Sequence, residues 1–186
     1  MFCRRRARSR SGSVGGRVAA AVLAGVLATG RPVPADTATD LLALPVRQGN
    51  EPPTALGARL AGRPAVVAFW ASYCPPCRAE VPVLRRIAAR WRDAGVRVVG
   101  IVLDVDGAAE ARRVADAWHI DYETLWVGAD AWERADRLAP TGLPVAFFVS
   151  ARGTVVREDR ALTDRDVDTL AARLGVDALP RAPGGR

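Results

Sequence analysis

Two cysteines separated by two residues, Cys74 and Cys77, stand between two stretches with different periodicity. Before them, the apolar and partly β-branched run Ala65–Trp70 predicts a buried strand. After them, apolar residues recur at the spacing of one helix face, at Val81, Leu84, Ile87, Ala88 and Trp91. The sequence therefore predicts two thiols at the point where a strand ends and a helix begins.

That position favours the reactive form of cysteine. The free amides and the dipole of a helix N-terminus stabilise negative charge, and the thiolate is the form that attacks a disulfide. We expect Cys74 to be the exposed thiol and Cys77, one turn into the helix, to be more buried. Pro75 and Pro76 fit the first helical turn, where a missing N–H costs nothing, and they stiffen the loop between the thiols.

A pair of cysteines at this spacing has three interpretations. A zinc half-site needs two further ligands, and the other candidates are Cys3 and the single histidine, His119. A purely structural disulfide would add little stability, because a two-residue loop constrains the unfolded chain very little. A redox-active dithiol is favoured, because the pair comes with the strand and the helix that such a site needs.

The stretch from Trp70 to Pro82 has the sequence WASYCPPCRAEVP, and a second motif, TGLP, ends at Pro144 before an apolar strand. These motifs resemble the active site of the thioredoxin-like superfamily, in particular the TlpA/ResA type of exported thiol–disulfide oxidoreductase. The resemblance extends over about residues 41–175. It implies an α/β fold, a thioredoxin-like sandwich in which helices cover both faces of a mixed central β-sheet.

Dithiol chemistry and the resemblance together define a candidate site. We expect Cys74 to attack a substrate disulfide and Cys77 to resolve the mixed disulfide. The Cys74–Cys77 disulfide is then the redox group, and neither a metal nor another cofactor is needed. In the family, the equivalent of Pro144 follows a cis peptide bond and faces the dithiol. The expected substrate-binding residues are Trp70, Tyr73, Pro75, Pro76, Leu143 and Pro144.

Two positions depart from the family pattern. Tyr73 stands where tryptophan is more usual, which leaves an aromatic residue beside the dithiol. Ala68 stands where cytosolic thioredoxins have a buried acid. The candidate for an acid near the dithiol is therefore Glu80, three residues after Cys77. Glu80 either faces solvent in the first helical turn or lies near the dithiol, where it would raise the thiol pKa and accept a proton.

The net charge of +7 belongs to the start of the chain. Seven of the 27 basic residues precede Asp36, the first acidic residue, and the rest of the chain has as many basic as acidic residues. A domain without a net positive charge argues against a nucleic-acid partner. The basic segment leads into an apolar run over residues 18–30, too short to span a bilayer, and then into the small-residue pattern Val33-Pro34-Ala35.

This arrangement divides the chain into three parts. Residues 1–35 are predicted to form a signal peptide or, if they are not cleaved, an N-terminal anchor. Residues 36–176 form the thioredoxin-like domain, and residues 177–186 a flexible C-terminal tail. The protein is therefore expected in the periplasm or another extracytoplasmic space. The family resemblance implies a membrane thiol–disulfide electron donor and, as substrates, protein disulfides such as those of apocytochrome c or copper-site proteins.

The remaining sequence predicts strands and helices in alternation, followed by a hairpin and a last helix. Parallel units followed by an antiparallel hairpin give a mixed sheet. Before the dithiol, residues 41–46 are expected to form an edge strand and residues 56–60 a turn or short helix. Asp130 is expected to cap a helix, and the acidic turn over residues 104–107 to be solvated rather than to bind a metal.

Two other functions are weaker alternatives. A thiol peroxidase of the peroxiredoxin-related group needs a cysteine after a Pro-x-x-x-Thr/Ser pattern, which the residues before Cys74 do not supply. A non-catalytic copper(I)-binding module would use the same thiolates, but copper chaperones generally add methionine and the chain has only Met1. Whether the dithiol reduces or oxidises its partners depends on its reduction potential, and the resemblance favours reduction.

Overall fold

The computed structural model describes residues 31–174, which form eight β-strands, six α-helices and one 3₁₀ turn. The strands are β1 (Arg31–Pro32), β2 (Pro45–Val46), β3 (Thr54–Ala55), β4 (Ala65–Trp70), β5 (Arg97–Val102), β6 (Glu123–Trp126), β7 (Val145–Val149) and β8 (Val155–Glu158). The helices are α1 (Ala35–Leu42), α2 (Leu56–Leu60), α3 (Pro75–Trp91), α4 (Ala108–Ala117), α5 (Trp132–Leu138) and α6 (Asp164–Leu174). The 3₁₀ turn, Ala129–Ala131, leads directly into α5.

Six of the strands form one mixed sheet in the order β1-β8-β7-β4-β5-β6. Strand β4 is central: it runs parallel to β5 and antiparallel to β7, and β5 is parallel to β6. Strands β7, β8 and β1 continue the sheet as antiparallel neighbours. Parallel neighbours need a crossover, which α3 supplies between β4 and β5 and α4 between β5 and β6. The predicted α/β class with a mixed sheet is confirmed.

Side chains alternate across the sheet and divide the core in two. Val67 and Phe69 of β4 lie in the core with residues of α1, α2 and α5. Val66 and Ala68 lie in the core with residues of α3 and α6. A third apolar cluster joins the end of β4 to α4 and includes both cysteines of the motif. Helices therefore cover both faces, and the dithiol lies where β4 leaves the sheet.

The predicted edge strand over residues 41–46 is wrong. The first two of these residues end α1, and only Pro45–Val46 are extended, in a small ribbon with β3. A short apolar run without alternation fits a helix end as well as a strand, so its pattern does not decide between them. After the ribbon, the backbone of Arg47 exchanges two hydrogen bonds (2.9 and 3.0 Å) with Trp126 of β6. The short helix expected over residues 56–60 is confirmed as α2.

Asp130 does not cap α5 as expected. It lies in the 3₁₀ turn, so α5 begins at Trp132 and Ala131 stands at the N-cap position without a side-chain hydrogen bond. The Asp130 carboxylate instead lies 3.5 Å from the guanidinium of Arg47. Gly128 makes room for this pair, because a Cβ at that position would collide with Asp130 Oδ1.

Most of the predicted leader and the whole predicted tail lie outside the described residues. Arg31 and Pro32, which the sequence pattern assigns to the leader, form β1 and pair with Arg157 and Val156 of β8. Within residues 31–174, no helix is both long enough and apolar enough to cross a membrane.

Candidate active site

The dithiol lies at the junction of β4 and α3, as predicted. Cys74 is the N-cap residue of α3, Cys77 lies in the first turn, and a disulfide bond joins them with their Cα atoms 5.3 Å apart. Pro75 and Pro76 are the first two residues of the helix, where no backbone N–H is needed. The helix continues through Pro82.

The Cys74 sulfur lies where α3 stabilises negative charge. The backbone N–H of Cys77 donates a hydrogen bond of 3.2 Å to Cys74 Sγ, and the positive end of the α3 dipole points towards the same atom. Both contributions favour the thiolate of Cys74 once the disulfide is reduced. Cys74 is 6% exposed and Cys77 2%. Cys74 is therefore more buried than the sequence predicts, because the surrounding loops form the walls of a groove.

Cys74 lines this groove, which has a volume of about 380 Å³, whereas Cys77 does not. Four of the expected substrate-binding residues line the same groove: Tyr73, Pro75, Pro76 and Leu143. Tyr73 is the most prominent of them, with 75% of the residue exposed. Of the two cysteines, Cys74 is therefore the one on the groove.

Two expected substrate-binding residues do not reach the groove. Trp70 is 3% exposed and packs against Trp118, with a distance of 5.0 Å between ring centroids. Its indole lies over Gly100 of β5, where a Cβ would lie only 2.7 Å from Nε1. Pro144 is buried directly before β7, and its neighbour Leu143 lines the groove instead. Trp70 is therefore a packing residue behind the dithiol and does not form its rim.

The peptide bond between Leu143 and Pro144 is cis, as expected. Gly142, just before it, has a φ of +92°, a conformation that favours glycine. The cis bond directly precedes β7, and Val145 of β7 pairs with Phe69 near the end of β4. The register of these two strands therefore brings the cis bond to the end of the sheet at which the dithiol lies.

A carboxylate that was expected to be solvated holds the loop before the dithiol. Asp104 accepts hydrogen bonds from the backbone N–H of Ser72, at 2.7 Å, and from the Ser72 hydroxyl. Both residues lie two positions beyond the end of their strand, and those strands, β5 and β4, are parallel neighbours in register. This correspondence of positions is the sequence signal from which the contact could have been inferred.

Helix α5 also lines the groove, through Trp132 and Asp136. Trp132 is 49% exposed, and among the described residues it and Tyr73 are the two large hydrophobic side chains that are exposed. No local motif marks these two positions on α5, because the tertiary fold alone brings them to the dithiol.

Glu80 is buried and does not face solvent. Only 3% of the residue is exposed, and its Oε1 accepts a hydrogen bond of 2.7 Å from the backbone N–H of Leu162. It lies on the same side of α3 as the buried residues Leu84, Ile87 and Trp91. The spacing of these positions, four, seven and eleven residues after Glu80, is the sequence signal for its burial.

Burial raises the pKa of Glu80 from 4.5 to about 7, because the charged form loses its hydration. The hydrogen bond from Leu162 opposes this shift, the Asp166 carboxylate adds to it, and the Arg160 guanidinium opposes it. The pKa of Tyr122 is also raised, first by burial and then by the charge of Glu80. Glu80 therefore changes its charge near neutral pH.

A buried ion cluster lies next to Glu80. Asp166 is 1% exposed, and its carboxylate accepts hydrogen bonds from two guanidinium nitrogens of Arg160, each at 2.9 Å. Arg173 reaches the same carboxylate at 2.9 Å. The backbone N–H of Thr163, the residue before α6, donates to Asp166 at 2.7 Å. Adjacent backbone N–H groups, those of Leu162 and Thr163, thus hold two buried carboxylates from two different helices.

Comparison with known proteins agrees with this geometry. The chain matches the redoxin family over residues 28–172. It is 33% identical over 146 residues to a thiol:disulfide interchange protein DsbE of Pseudomonas fluorescens, and the match covers 77% of this chain and 74% of the relative. It is 29% identical over 98 residues to the thiol-disulfide oxidoreductase ResA of Oceanobacillus iheyensis, a match that covers 52% of this chain and only 48% of that relative.

A solved structure is similar as well. The crystal structure of a secreted Mycobacterium tuberculosis disulfide oxidoreductase superimposes with a TM-score of 0.55 at 26% sequence identity. The match covers 73% of this chain and 97% of that structure. The similarity confirms the thioredoxin-like fold expected from the sequence.

Proposed function

Because the chain belongs to the redoxin family and is a thiol–disulfide oxidoreductase of the DsbE/ResA type, we propose that it is an exported reductase of protein disulfides. The observation that carries this proposal is the disulfide at the N-terminus of α3, of which one cysteine, Cys74, lines an open groove. The basic and apolar leader supports export to the periplasm or another extracytoplasmic space, with or without cleavage.

In the proposed reaction, Cys74 is the nucleophile and Cys77 the resolving thiol. The Cys74 thiolate attacks one sulfur of the substrate disulfide, so that a mixed disulfide forms and the other substrate sulfur leaves as a thiolate. Cys77 then loses its proton and attacks the Cys74 sulfur, which releases the second substrate thiolate. Two electrons pass from the dithiol to the substrate, and both released thiolates take up protons. The second step is fast because it is intramolecular.

Glu80 is the proposed proton acceptor of this dithiol. It follows Cys77 by three residues on α3, which corresponds to a rise of about 4.5 Å along the helix. Its pKa of about 7 suits a group that takes a proton from a thiol and passes it on near neutral pH. When ionised, it also disfavours a neighbouring thiolate, and so it tunes the thiol pKa.

The groove is the proposed binding site for an extended segment of the substrate. The backbone at Leu143, beside the cis bond to Pro144, offers hydrogen-bonding groups to such a segment. Tyr73, Pro75 and Pro76 contact its side chains from the dithiol side. The Cys74–Cys77 disulfide is the proposed redox group, and the reaction as written needs no further cofactor.

The proposed partners follow from the family resemblance of the motifs. A membrane thiol–disulfide protein is the proposed electron donor, which reduces the Cys74–Cys77 disulfide to the dithiol after each reaction. Apocytochrome c and copper-site proteins are proposed as substrates, since the reduced cysteines of both are needed before haem or copper is attached.

The reduction potential of the dithiol tests the direction of electron flow. Equilibration with glutathione mixtures should give a value closer to the about −230 mV of a glutaredoxin than to the about −120 mV of a strong oxidant. A value near the latter would overturn the proposed reductase. If the reduced protein instead turned over hydrogen peroxide faster than protein disulfides, the peroxidase alternative would replace it.

A further inference from the structure

We propose that the groove selects substrate segments in which a basic residue flanks the attacked cysteine, and that Trp132 and Asp136 recognise this residue. The inference rests on the proposed function, because it assigns the specificity of the same groove. It commits to one kind of occupant, a polypeptide with an arginine or lysine beside its disulfide.

The first observation is the geometry of α5. Trp132 and Asp136 lie four residues apart, which places the two side chains as neighbours on one side of the helix. Both line the groove together with Cys74. Within residues 31–174, the Asp136 side chain has no hydrogen-bond or ion-pair partner, in contrast to Asp104 on the same groove, which is held by Ser72. An indole and an unpaired carboxylate are therefore neighbours in the groove that Cys74 also lines.

The second observation is the exposed aromatic surface. Trp132 and Tyr73 line the groove from α5 and from the dithiol loop, and they are 49% and 75% exposed. A flat arginine or the stem of a lysine packs well on such rings, because the ring faces attract the cation while the stem covers apolar surface. The carboxylate of Asp136, one turn from the indole, is then available to the charged end of the same side chain.

The third observation is the sign of the charge around Trp132. A second hollow adjoins the groove and shares Leu103, Asp104 and Trp132 with it. Across the described residues, the two linings together contain five acidic side chains and no arginine: Asp104, Asp106, Glu110, Glu133 and Asp136. Glu110 is paired with Arg113, outside the lining, at 3.0 Å, so the excess of negative charge comes from the other four. A concave surface with charge of one sign attracts the opposite charge more strongly than a flat one. The complementary occupant is therefore cationic.

The occupant is a polypeptide segment because the groove also contains the reacting atom. A free cation could pair with the Asp136 carboxylate, but it has no disulfide for Cys74 to attack. A peptide whose cysteine reaches Cys74 must place its neighbouring side chains on the groove walls, and one of those walls is α5. A flanking arginine or lysine is thus recognised in the same event that aligns the disulfide.

The test uses three peptides that differ only in the residue next to the cysteine. This residue is lysine, glutamine or glutamate. Each cysteine is linked by a disulfide to 2-nitro-5-thiobenzoate, whose coloured thiolate leaves when Cys74 attacks the peptide sulfur. The reduced wild-type protein should react with the lysine peptide about tenfold faster than with the glutamate peptide, equivalent to about 1.4 kcal/mol. That is about the size of one partly exposed ion pair together with one cation–π contact. Raising the salt concentration should reduce the preference, because the charges are screened.

The variants separate recognition from folding. Asp136→Asn should reduce the preference to about threefold, since an exposed ion pair contributes about 0.5 to 1 kcal/mol, and Asp136→Arg should invert it in favour of glutamate. Trp132→Phe should retain more of the preference than Trp132→Ala. Asp93→Asn is the matched control: Asp93 is exposed just beyond the C-terminal end of α3, so this variant loses the same charge and should keep the wild-type preference.

Each failure has its own signature. If no peptide releases the coloured thiolate faster with wild type than with Cys74→Ala, the proposed function fails. If all three peptides react at equal rates, or if Asp93→Asn changes the preference as much as Asp136→Asn, the proposed function stands and the charge selection is overturned. Sedimentation of the wild type as a dimer that Trp132→Ala dissociates would overturn it too, because a second copy of the chain would then occupy the groove.

Discussion

The Glu80 carboxylate accepts a hydrogen bond of 2.7 Å from the backbone N–H of Leu162, which lies 82 residues later in the chain. The bond joins α3, the helix that begins at the dithiol, to the loop before α6. It holds a carboxylate whose pKa is about 7 in an almost fully buried position. Both the acidity of the thiols and the stability of the fold should therefore depend on this residue near neutral pH.

Replacing Glu80 with glutamine should lower the pKa of Cys74. Above neutral pH, an ionised Glu80 near the dithiol disfavours the thiolate, and the substitution removes that charge without removing bulk. A lower thiol pKa stabilises the reduced form, so the reduction potential should rise by tens of millivolts, at about 30 mV for each 1.4 kcal/mol. Thiolate absorbance followed against pH measures the shift. Coincident curves for wild type and Glu80→Gln would mean that Glu80 has no redox role.

Glu80 should also make the folded protein less stable as the pH rises. Its pKa is about 7 in the fold and 4.5 without it, so the folded state binds the extra proton between these values. The free energy of unfolding should therefore fall by on the order of 3 kcal/mol from below pH 4.5 to above pH 7. Glu80→Gln has no carboxyl group to ionise at this position, so its free energy of unfolding should rise relative to that of the wild type as the pH increases over that window. Denaturant unfolding of both oxidised proteins at pH 5 and pH 8 measures it, and a constant difference would contradict the prediction.

Cys77→Ala should trap mixed disulfides with substrates, whereas Cys74→Ala should not. Cys74 lines the groove and is the sulfur that the helix N-terminus stabilises as a thiolate. Without Cys77, the mixed disulfide on Cys74 has no internal thiol to resolve it. Non-reducing electrophoresis of each variant after incubation with a disulfide-bonded protein detects the adduct. Equal trapping by both variants would contradict the assignment of Cys74 as nucleophile and Cys77 as resolving thiol.

Asp104→Ala should destabilise the fold by about 2 kcal/mol, because it removes the acceptor of two hydrogen bonds from Ser72. Asp106→Ala is the matched control, since Asp106 lies two residues further on and its carboxylate is exposed without a partner in the described residues. The control should change the stability by no more than about 0.5 kcal/mol. Thermal or denaturant unfolding of the oxidised proteins distinguishes the two. Equal losses would mean that Asp104 does not hold the dithiol loop.

Processing of the leader should leave a protein that begins near Asp36 and lies outside the cytoplasm. The basic segment, the apolar run and the small residues before Asp36 motivate this expectation. A chain that begins there lacks β1 and the first residue of α1. N-terminal sequencing of the protein from its natural host determines the start. An intact Met1 on a cytosolic protein would refute both the leader and the compartment.

Local patterns were sufficient to predict the dithiol and its immediate support. The apolar run before Cys74 predicts the strand, the spacing after Cys77 predicts the helix, and the family resemblance of the motif that ends at Pro144 implies the cis bond. The burial of Glu80 was also within reach, because its position shares a helix face with Leu84 and Ile87. The sequence left open whether Glu80 faces solvent or the dithiol, and its partner in the fold, the Leu162 amide, belongs to a distant loop.

The part of the groove lined by α5 could not be predicted in this way. Trp132 and Asp136 lie on a helix of seven residues, and their distance from Cys74 in the chain gives no sign of their proximity. Trp70 shows the opposite difficulty, because its place next to the motif suggests a rim residue. Its position on β4 directs the ring away from the groove, towards Trp118.

The contact between Arg47 and Trp126 also has a consequence for how the domain meets other chains. The outer edge strands of a sheet carry unpaired backbone groups, which act as templates for foreign strands. Strand β6 forms one edge and gives two of its outward hydrogen bonds to Arg47. The other edge is β1, with two residues, or, once the predicted processing has removed β1, strand β8, with four. An extended polypeptide therefore finds little edge to which it can add. The domain can therefore bind partly folded chains with little risk that their strands add to its sheet and form an aggregate.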